Sequence, residues 1–364
     1  MQKLGKKAGK STFSDLLLEW NKTKNDRKMP WKGEKDPYKI WLSEIILQQT
    51  RVEQGLGYYQ RFIETFPDIL ALAAAPDAQV FKLWEGLGYY SRCRNLLQTA
   101  RHIASADKGI FPGSYEEILA LKGVGPYTAA AISSFAFDLP HAVVDGNVFR
   151  VLARVFGLAL AIDSGEGKKK FSDLASQLLD KKKAGLYNQA IMDFGATVCK
   201  PAAPACHDCP FNTTCHAYLN DEVDMLPVKA RKINIRNRWF YYLVLEKGDK
   251  TMIRQRTSKD IWNQLYEFPM IETAGEEPVP TILERAEAAG WLKAKNYEVV
   301  TVSPMRKQQL SHQLIAGRFI RIRILDHPKG KTDGEWVTGK EFESYSFPKF
   351  IRQYLDDTTE QSLF

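Results

Sequence analysis

The chain has 364 residues, with 51 Lys and Arg against 43 Asp and Glu, for a formal net charge of +8. That length allows two domains with a sizeable core, and the basic balance suits a polyanionic partner such as nucleic acid. No apolar run approaches the roughly 18 residues of a membrane span, and the basic stretch Met1 to Lys10 lacks the apolar segment of a secretory signal, so the protein is expected inside the cell and off the membrane.

Residues 12–28 read as an amphipathic helix with Phe13, Leu16, Leu17 and Trp20 on one face. Asp36-Pro37-Tyr38 opens a second helix that runs through Glu44 to Arg51. Helical periodicity continues to residue 164 in short segments, broken at Pro67, Pro76, Gly86-Leu87-Gly88, Pro112 and Gly123. Few stretches alternate with period two, so roughly the first 225 residues read as all-α. After a basic linker at Leu226 to Lys232 the pattern changes. Trp239 to Leu245 is aromatic and β-branched and ends in a Lys247-Gly248-Asp249 turn, Arg318 to Leu325 alternates charged with apolar residues, and a helix at Pro280 to Ala289 sits between strands. The C-terminal third therefore reads as a smaller α+β domain.

Four constellations carry chemistry. In Leu121-Lys122-Gly123-Val124-Gly125-Pro126-Tyr127, two glycines precede a small-residue helix. Both permit a turn with φ > 0, and the N–H groups opening the next helix lack intrahelical partners. Residues about 115–135 thus have the form of a helix-hairpin-helix, a seat for a DNA phosphate. A packing corner needing close approach reads equally well from this stretch alone. Asp145 follows Val143 and Val144 and precedes a helix whose apolar face is Val148, Val151, Leu152 and Val155. That is an N-cap position, where capping donors favour the ionised carboxyl; the bland reading is a cap and nothing more. Glu44 lies in an apolar helix with Ile40, Leu47 and Gln48 on its side. A buried carboxyl there stays protonated toward neutral pH, unless a salt bridge, for instance to Arg51, holds it ionised. One acid and one carboxylate is the division of roles that breaks a glycosidic bond.

Of five cysteines, Cys199, Cys206, Cys209 and Cys215 crowd together and Cys93 stands alone in a predicted helix. Clustered intracellular thiols point to metal rather than disulfides, and four thiolates hold zinc or an iron–sulfur cluster. Only one pair is two apart, whereas zinc sites usually show two such pairs; a zinc knuckle using His207 or His216 is the alternative.

The uneven cysteine spacing resembles the four-iron four-sulfur loop of the endonuclease III superfamily of DNA glycosylases. Trp41 to Val52, with its Leu47-Gln48-Gln49-Thr50-Arg51 segment, resembles the acid-bearing helix of the MutY family of adenine DNA glycosylases. Trp84-Glu85-Gly86-Leu87-Gly88-Tyr89-Tyr90 resembles that family's minor-groove wedge, and the hairpin, the Asp145 helix and the cysteines follow in the family order. The resemblance implies a DNA glycosylase with one 4Fe-4S cluster on Cys199, Cys206, Cys209 and Cys215. Its DNA contacts would come from Gln48, Gln49, Thr50, Arg51, Leu87, Gly88 and Tyr89 around the gap left by a flipped base, and from Gly123 and Gly125 at a phosphate. It also implies that Glu44 protonates adenine at N7, that Asp145 stabilises the oxocarbenium-like sugar, and that Tyr127 and Asn147 support them. Bifunctional members carry a Schiff-base lysine where this chain has Tyr127, so the expectation is a monofunctional enzyme that uses water.

Trp262 to Pro269 resembles the strand before the catalytic signature of Nudix hydrolases, but the following Met270-Ile271-Glu272 and the helix Leu283 to Gly290 lack its glycines and paired glutamates. The resemblance therefore implies a Nudix-like fold kept for binding. Leu310-Ser311-His312-Gln313 resembles a Phe-Ser-His loop that contacts 8-oxoguanine, with Leu310 departing from the Phe. The expected architecture is multi-domain: an all-α glycosylase domain at 1–227 with the cluster loop at 199–215, a linker at 228–236, and a Nudix-like α+β domain at 237–364. The expected partner is double-stranded DNA carrying adenine opposite 8-oxoguanine, met by a monomer in a bacterial cytoplasm. The rival readings are a sister glycosylase acting on G·T mismatches or oxidised pyrimidines, a non-catalytic damage binder, and a Nudix hydrolase.

Overall fold

The computed structural model describes residues 10–106, 108–230, 234–325 and 334–361. The chain divides into two compact units, one within Met1–Ala74 and Arg94–Arg231 and the other within Ala75–Cys93 and Lys232–Phe364. The short segment Ala75–Cys93 thus sorts with the C-terminal residues.

The N-terminal region is helical as its periodicity dictates: α1 Lys10–Thr23, α2 Pro37–Leu47, α3 Val52–Thr65, α4 Ile69–Ala74, α5 Asp77–Trp84, α6 Tyr90–Ala106, α7 Tyr115–Ala120, α8 Pro126–Phe137, α9 Gly146–Phe156, α10 Gly165–Leu178, α11 Ala184–Thr197 and α12 His216–Leu219. Local signals set several starts. The Asp36 side chain accepts from Tyr38 N at 2.9 Å with Pro37 at the first position of α2. Ser114 and Glu117 form a capping box at α7. The core of this unit gathers Phe13, Leu17 and Trp20 of α1 against Phe171, Tyr187, Phe194 and Phe211. Each such fully buried side chain contributes on the order of 1.5–3 kcal/mol. The α9 face read from sequence, Val148, Val151, Leu152 and Val155, lies wholly inside. Helix α11 comes so near α9 that a Cβ on Gly195 would stand 2.6 Å from Asn147 Cβ.

Among the described residues the second unit is built on a mixed eight-stranded sheet: β1 Arg236–Lys247, β2 Lys250–Gln255, β3 Tyr266–Glu267, β4 Met270–Thr273, β5 Tyr297–Val302, β6 Arg306–Gln309, β7 Gln313–Ile324 and β8 Glu335–Thr338, with helices α13 Val279–Ala288 and α14 Lys349–Gln361. Strands β1 and β7 run parallel, and the remaining pairs are antiparallel. Phe240, Tyr242 and Val244 enter one core with Phe350 and Tyr354 of α14, while Tyr241, Leu243 and Leu245 enter the other with Ile282 and Ala286 of α13. Covering both faces explains why β1 reads as a continuous apolar run. The stretch Trp262 to Pro269 is not the strand expected from the Nudix resemblance. Trp262 (φ 60°) and Gln264 (φ 70°) are left-handed, so the chain turns there and only Tyr266–Glu267 pairs. Among the described residues no helix is long and apolar enough to cross a membrane.

Candidate active site

Helix α2 is buried along nearly its whole length, and Glu44 sits on it at 8% exposure. Burial pushes the Glu44 carboxyl up from 4.5 to about 7; the Tyr127 phenol pulls it back, and the charge of Asp145 raises it further. No salt bridge to Glu44 exists among the described residues, and Arg51 is exposed at the N-cap of α3. Burial with no ion-pair partner thus favours the protonated form of Glu44 toward neutral pH. The Tyr127 hydroxyl lies near the first turn of α8, donates to Met192 Sδ at 3.5 Å, and is itself held protonated by burial and by the two carboxylates.

Asp145 caps α9 as read from sequence. Its Oδ1 accepts from Val148 N at 2.8 Å and its Oδ2 from Asn147 Nδ2 at 2.7 Å. The donors of Val148 and Asn147 and the charge of Arg150 favour the ionised Asp145 carboxyl as expected, but burial opposes them and raises it overall. What separates the two carboxyls is their hydrogen bonding. Asp145 has fixed donors for its charged form, while Glu44 has chiefly the Tyr127 phenol.

Asn147 is held in turn by a residue that sequence reading gave no role. Arg150 donates to Asn147 Oδ1 at 2.9 Å, to Gly195 O at 2.6 Å and to Cys199 O at 2.7 Å. One turn on, Arg154 donates to Cys199 Sγ at 3.6 Å, Lys200 O at 2.8 Å and Leu226 O at 3.0 Å. Two arginines four apart on a helix usually mark a solvated face. Here both are buried, because the cysteine loop folds over them.

The four thiols of that loop, all free, line one pocket with Arg154, Phe194 and Tyr218. Among the described residues no three metal-ligating side chains converge on a single ion. His207 is bonded to Tyr218 at 3.2 Å and His216 faces Glu222 at 3.1 Å, so neither is turned to the thiols as a zinc knuckle needs. The N–H of Phe211 points at Cys209 Sγ at 3.4 Å and the Arg154 guanidinium at Cys199 Sγ. Donors aimed at sulfur from a buried arginine and a loop amide fit an iron–sulfur group.

In the hairpin between α7 and α8, Gly123 has φ 80° and packs on Asn95, where a Cβ would stand at 2.7 Å. Gly125 departs from expectation: it is extended (φ −103°, ψ 175°) and caps α8 without a side chain. A Cβ there meets nothing within 4 Å, so its bareness opens space rather than closing a turn. At the end of α2, Gln48 Nε2 donates to Thr128 Oγ1 at 3.3 Å, and Gln49 is left-handed (φ 55°), with Thr50 following before α3. Such strain in a non-glycine residue is typical of functional turns.

A cavity of about 300 Å³ opens beside Glu44, lined among others by Trp31, Lys32, Ser43, Phe135 and Gln189. The residues before α2 were not singled out by sequence; their charges alternate without a motif.

In the second unit the wedge residues part ways. Leu87, expected to fill a gap, is 4% exposed, whereas Tyr89 is 43% exposed at φ 48°, beside Gly88 at φ 78°. The Tyr89 and Ser311 hydroxyls share a hydrogen bond of 2.6 Å. Ser311 and His312 are exposed in the turn between β6 and β7, and Leu310 packs against the aromatic core. The position of the missing acidic ligands is accounted for: α13 turns Ile282 and Ala286 inward, and Glu287 accepts from Tyr297 at 3.0 Å.

Residues 42–177 match the HhH-GPD superfamily of base excision DNA repair proteins, and residues 240–357 match the NUDIX domain. The chain is similar to the adenine DNA glycosylase of Buchnera aphidicola subsp. Baizongia pistaciae (strain Bp), 33% identical over 303 residues, covering 82% of this chain and 83% of the relative. It is also similar to the adenine DNA glycosylase of Buchnera aphidicola subsp. Acyrthosiphon pisum (strain APS), 30% identical over 353 residues, covering 96% and 98%. Among solved structures, a thermostable thymine-DNA glycosylase superposes with TM-score 0.54 at 30% identity, covering 58% of this chain and 97% of that one.

Proposed function

Since this chain belongs to the adenine DNA glycosylase family, we propose that it removes adenine mispaired with 8-oxoguanine, or with guanine, from duplex DNA. The observation that carries the reading is a buried Glu44 held as an acid up to about 7, electrostatically coupled to the capped carboxyl of Asp145. Adenine inside a duplex must first be flipped out, at a cost of a few kcal/mol. Tyr89, exposed and left-handed, would enter the gap left behind. Gln49 and Thr50, at the strained end of α2, would contact the DNA as the family resemblance implies. The bare backbone at Gly123 and Gly125, before an α8 with no side-chain cap, would take a phosphate.

Glu44 then donates its proton to N7 of the base, which leaves as neutral adenine while the sugar gains oxocarbenium character. Asp145, oriented by Val148 N and Asn147, stabilises that cation, and water completes hydrolysis. Tyr127 offers no amine, so no Schiff base forms and the strand stays intact. Cys199, Cys206, Cys209 and Cys215 would hold a 4Fe-4S cluster, whose chemistry here is to fold the loop over Arg150 and Arg154. Ser311 and His312 would read the 8-oxoguanine. The protein would act as a monomer on DNA in the bacterial cytoplasm.

The test is single-turnover release of adenine from duplexes carrying A opposite 8-oxoguanine, with A·G, A·T and G·T beside them, and strand breakage scored with and without alkali. Fast release opposite 8-oxoguanine, with breakage only after alkali, is the expected result. Release from G·T alone, or breakage without alkali, would move the chain to a sister activity.

A further inference from the structure

Asp193 on α11 is fully buried (0% exposed) and belongs to none of the motifs described above. Its Oδ1 accepts from Arg27 Nη1 at 2.9 Å and Gln189 Nε2 at 3.0 Å, and its Oδ2 from Asn25 Nδ2 at 2.9 Å and Lys32 Nζ at 3.0 Å. Arg27 and Lys32 offset the cost of burying this charge. Three of the donors come from the connection between α1 and α2, and the fourth lies one turn earlier on α11. A single carboxylate therefore pins that connection, Trp31 included, against the helix. Two of its partners, Lys32 and Gln189, line the cavity that also holds Glu44.

We propose that Asp193 is the positioning residue that sets the hydrogen-bonding face of the base pocket. By taking the Nε2 of Gln189 it fixes the orientation of that amide, leaving the carbonyl Oε1 as the group to offer a base. It also takes one proton of the Lys32 ammonium, Arg27 O takes a second at 3.0 Å, and the third is left for a ring nitrogen. An acceptor beside a donor is the complement of the 6-amino group and N1 of adenine, and it opposes the 6-oxo group of guanine. Exchange of Asp193 for Asn puts a donor among four donors, so the Gln189 amide loses its fixed orientation. This inference rests on the reading that the cavity receives a flipped adenine.

The experiment measures single-turnover release of adenine and of unsubstituted purine, which lacks the 6-amino group, from otherwise identical duplexes opposite 8-oxoguanine. The full-length protein and its Asp193→Asn, Gln189→Ala and Lys32→Met variants are compared, with duplex Kd measured separately. Adenine release by Asp193→Asn should fall roughly fivefold to tenfold, the worth of about one hydrogen bond, while purine release falls less than about threefold. Gln189→Ala should reproduce this selective loss, and the Asp193→Asn/Gln189→Ala double variant should lose no more than Asp193→Asn alone. Equal losses on adenine and purine would overturn the assignment and leave Asp193 a purely structural residue. Where Asp193→Asn does not fold, Gln189→Ala decides alone: unchanged discrimination between adenine and purine overturns the assignment, while Lys32→Met should slow both bases alike, since purine keeps N1. A wild-type protein that releases neither base overturns the functional reading itself, which these ratios do not test.

Discussion

Glu44→Gln separates the catalytic use of this carboxyl from its thermodynamic cost. The folded protein raises the group from 4.5 to about 7, chiefly by burial. At about 1.4 kcal/mol per pH unit, that amounts to roughly 3 kcal/mol. Between those two values the folded state binds more protons than the unfolded state, so this residue lowers stability progressively as pH rises from about 4.5 to about 7, and by a constant amount above. An isosteric neutral amide removes the term. Urea melts at pH 4 should therefore give similar stabilities for the wild type and Glu44→Gln, while at pH 8 the variant should be more stable by roughly 3 kcal/mol. The raised carboxyl of Asp145 contributes a similar slope to both proteins and largely cancels in the difference. Catalysis moves the other way. The wild-type single-turnover rate should fall toward tenfold per pH unit above about 7 as Glu44 loses its proton, and fall again in acid as the raised carboxyl of Asp145 takes one up, whereas the variant should be slower by roughly 10²–10⁴ and lose the alkaline limb. A stability gain that is the same at pH 4 and pH 8 would show that packing, not ionisation, is responsible. Undiminished turnover in Glu44→Gln would remove the residue from proton transfer altogether.

Asp145→Asn should slow adenine release by on the order of 10³ while duplex Kd changes by only a few fold, because the cap survives but the charge facing the sugar does not; retained release would end its assigned role. Arg150→Leu leaves Asn147 Oδ1 and the carbonyls of Gly195 and Cys199 without their buried donor. It should destabilise the protein by roughly 3 kcal/mol and slow release, and Arg150→Lys should not rescue it, since an ammonium cannot span three acceptors in one plane; full rescue by Lys would argue that charge alone matters. Ser311→Ala should reduce the preference for 8-oxoguanine over guanine opposite adenine by roughly fivefold, one hydrogen bond's worth. An unchanged ratio of the two release rates would place lesion reading elsewhere.

The sequence determined what is local. Apolar periodicity defined the helices, Asp36 and Asp145 marked helix starts, and the cysteine spacing marked a loop whose four thiols line one pocket. Glu44 could be read as a buried acid because Ile40, Trp41, Ile45 and Leu47 surround it on its helix, a property carried within one stretch of chain. The family resemblance followed from the order of such stretches. The tertiary structure decided whatever depends on which elements meet. Burial outweighs the cap at Asp145 because other helices close over the end of α9. Gly125 is extended and Leu87 is packed inside, since backbone angle and facing are set by the neighbours a turn acquires, not by its composition. Arg150, Arg154 and Asp193 have no role legible in the sequence, because a charge is informative only through its partners. Beyond the near neighbours Asn147 and Gln189, the partners named above lie 45 to 168 positions away along the chain.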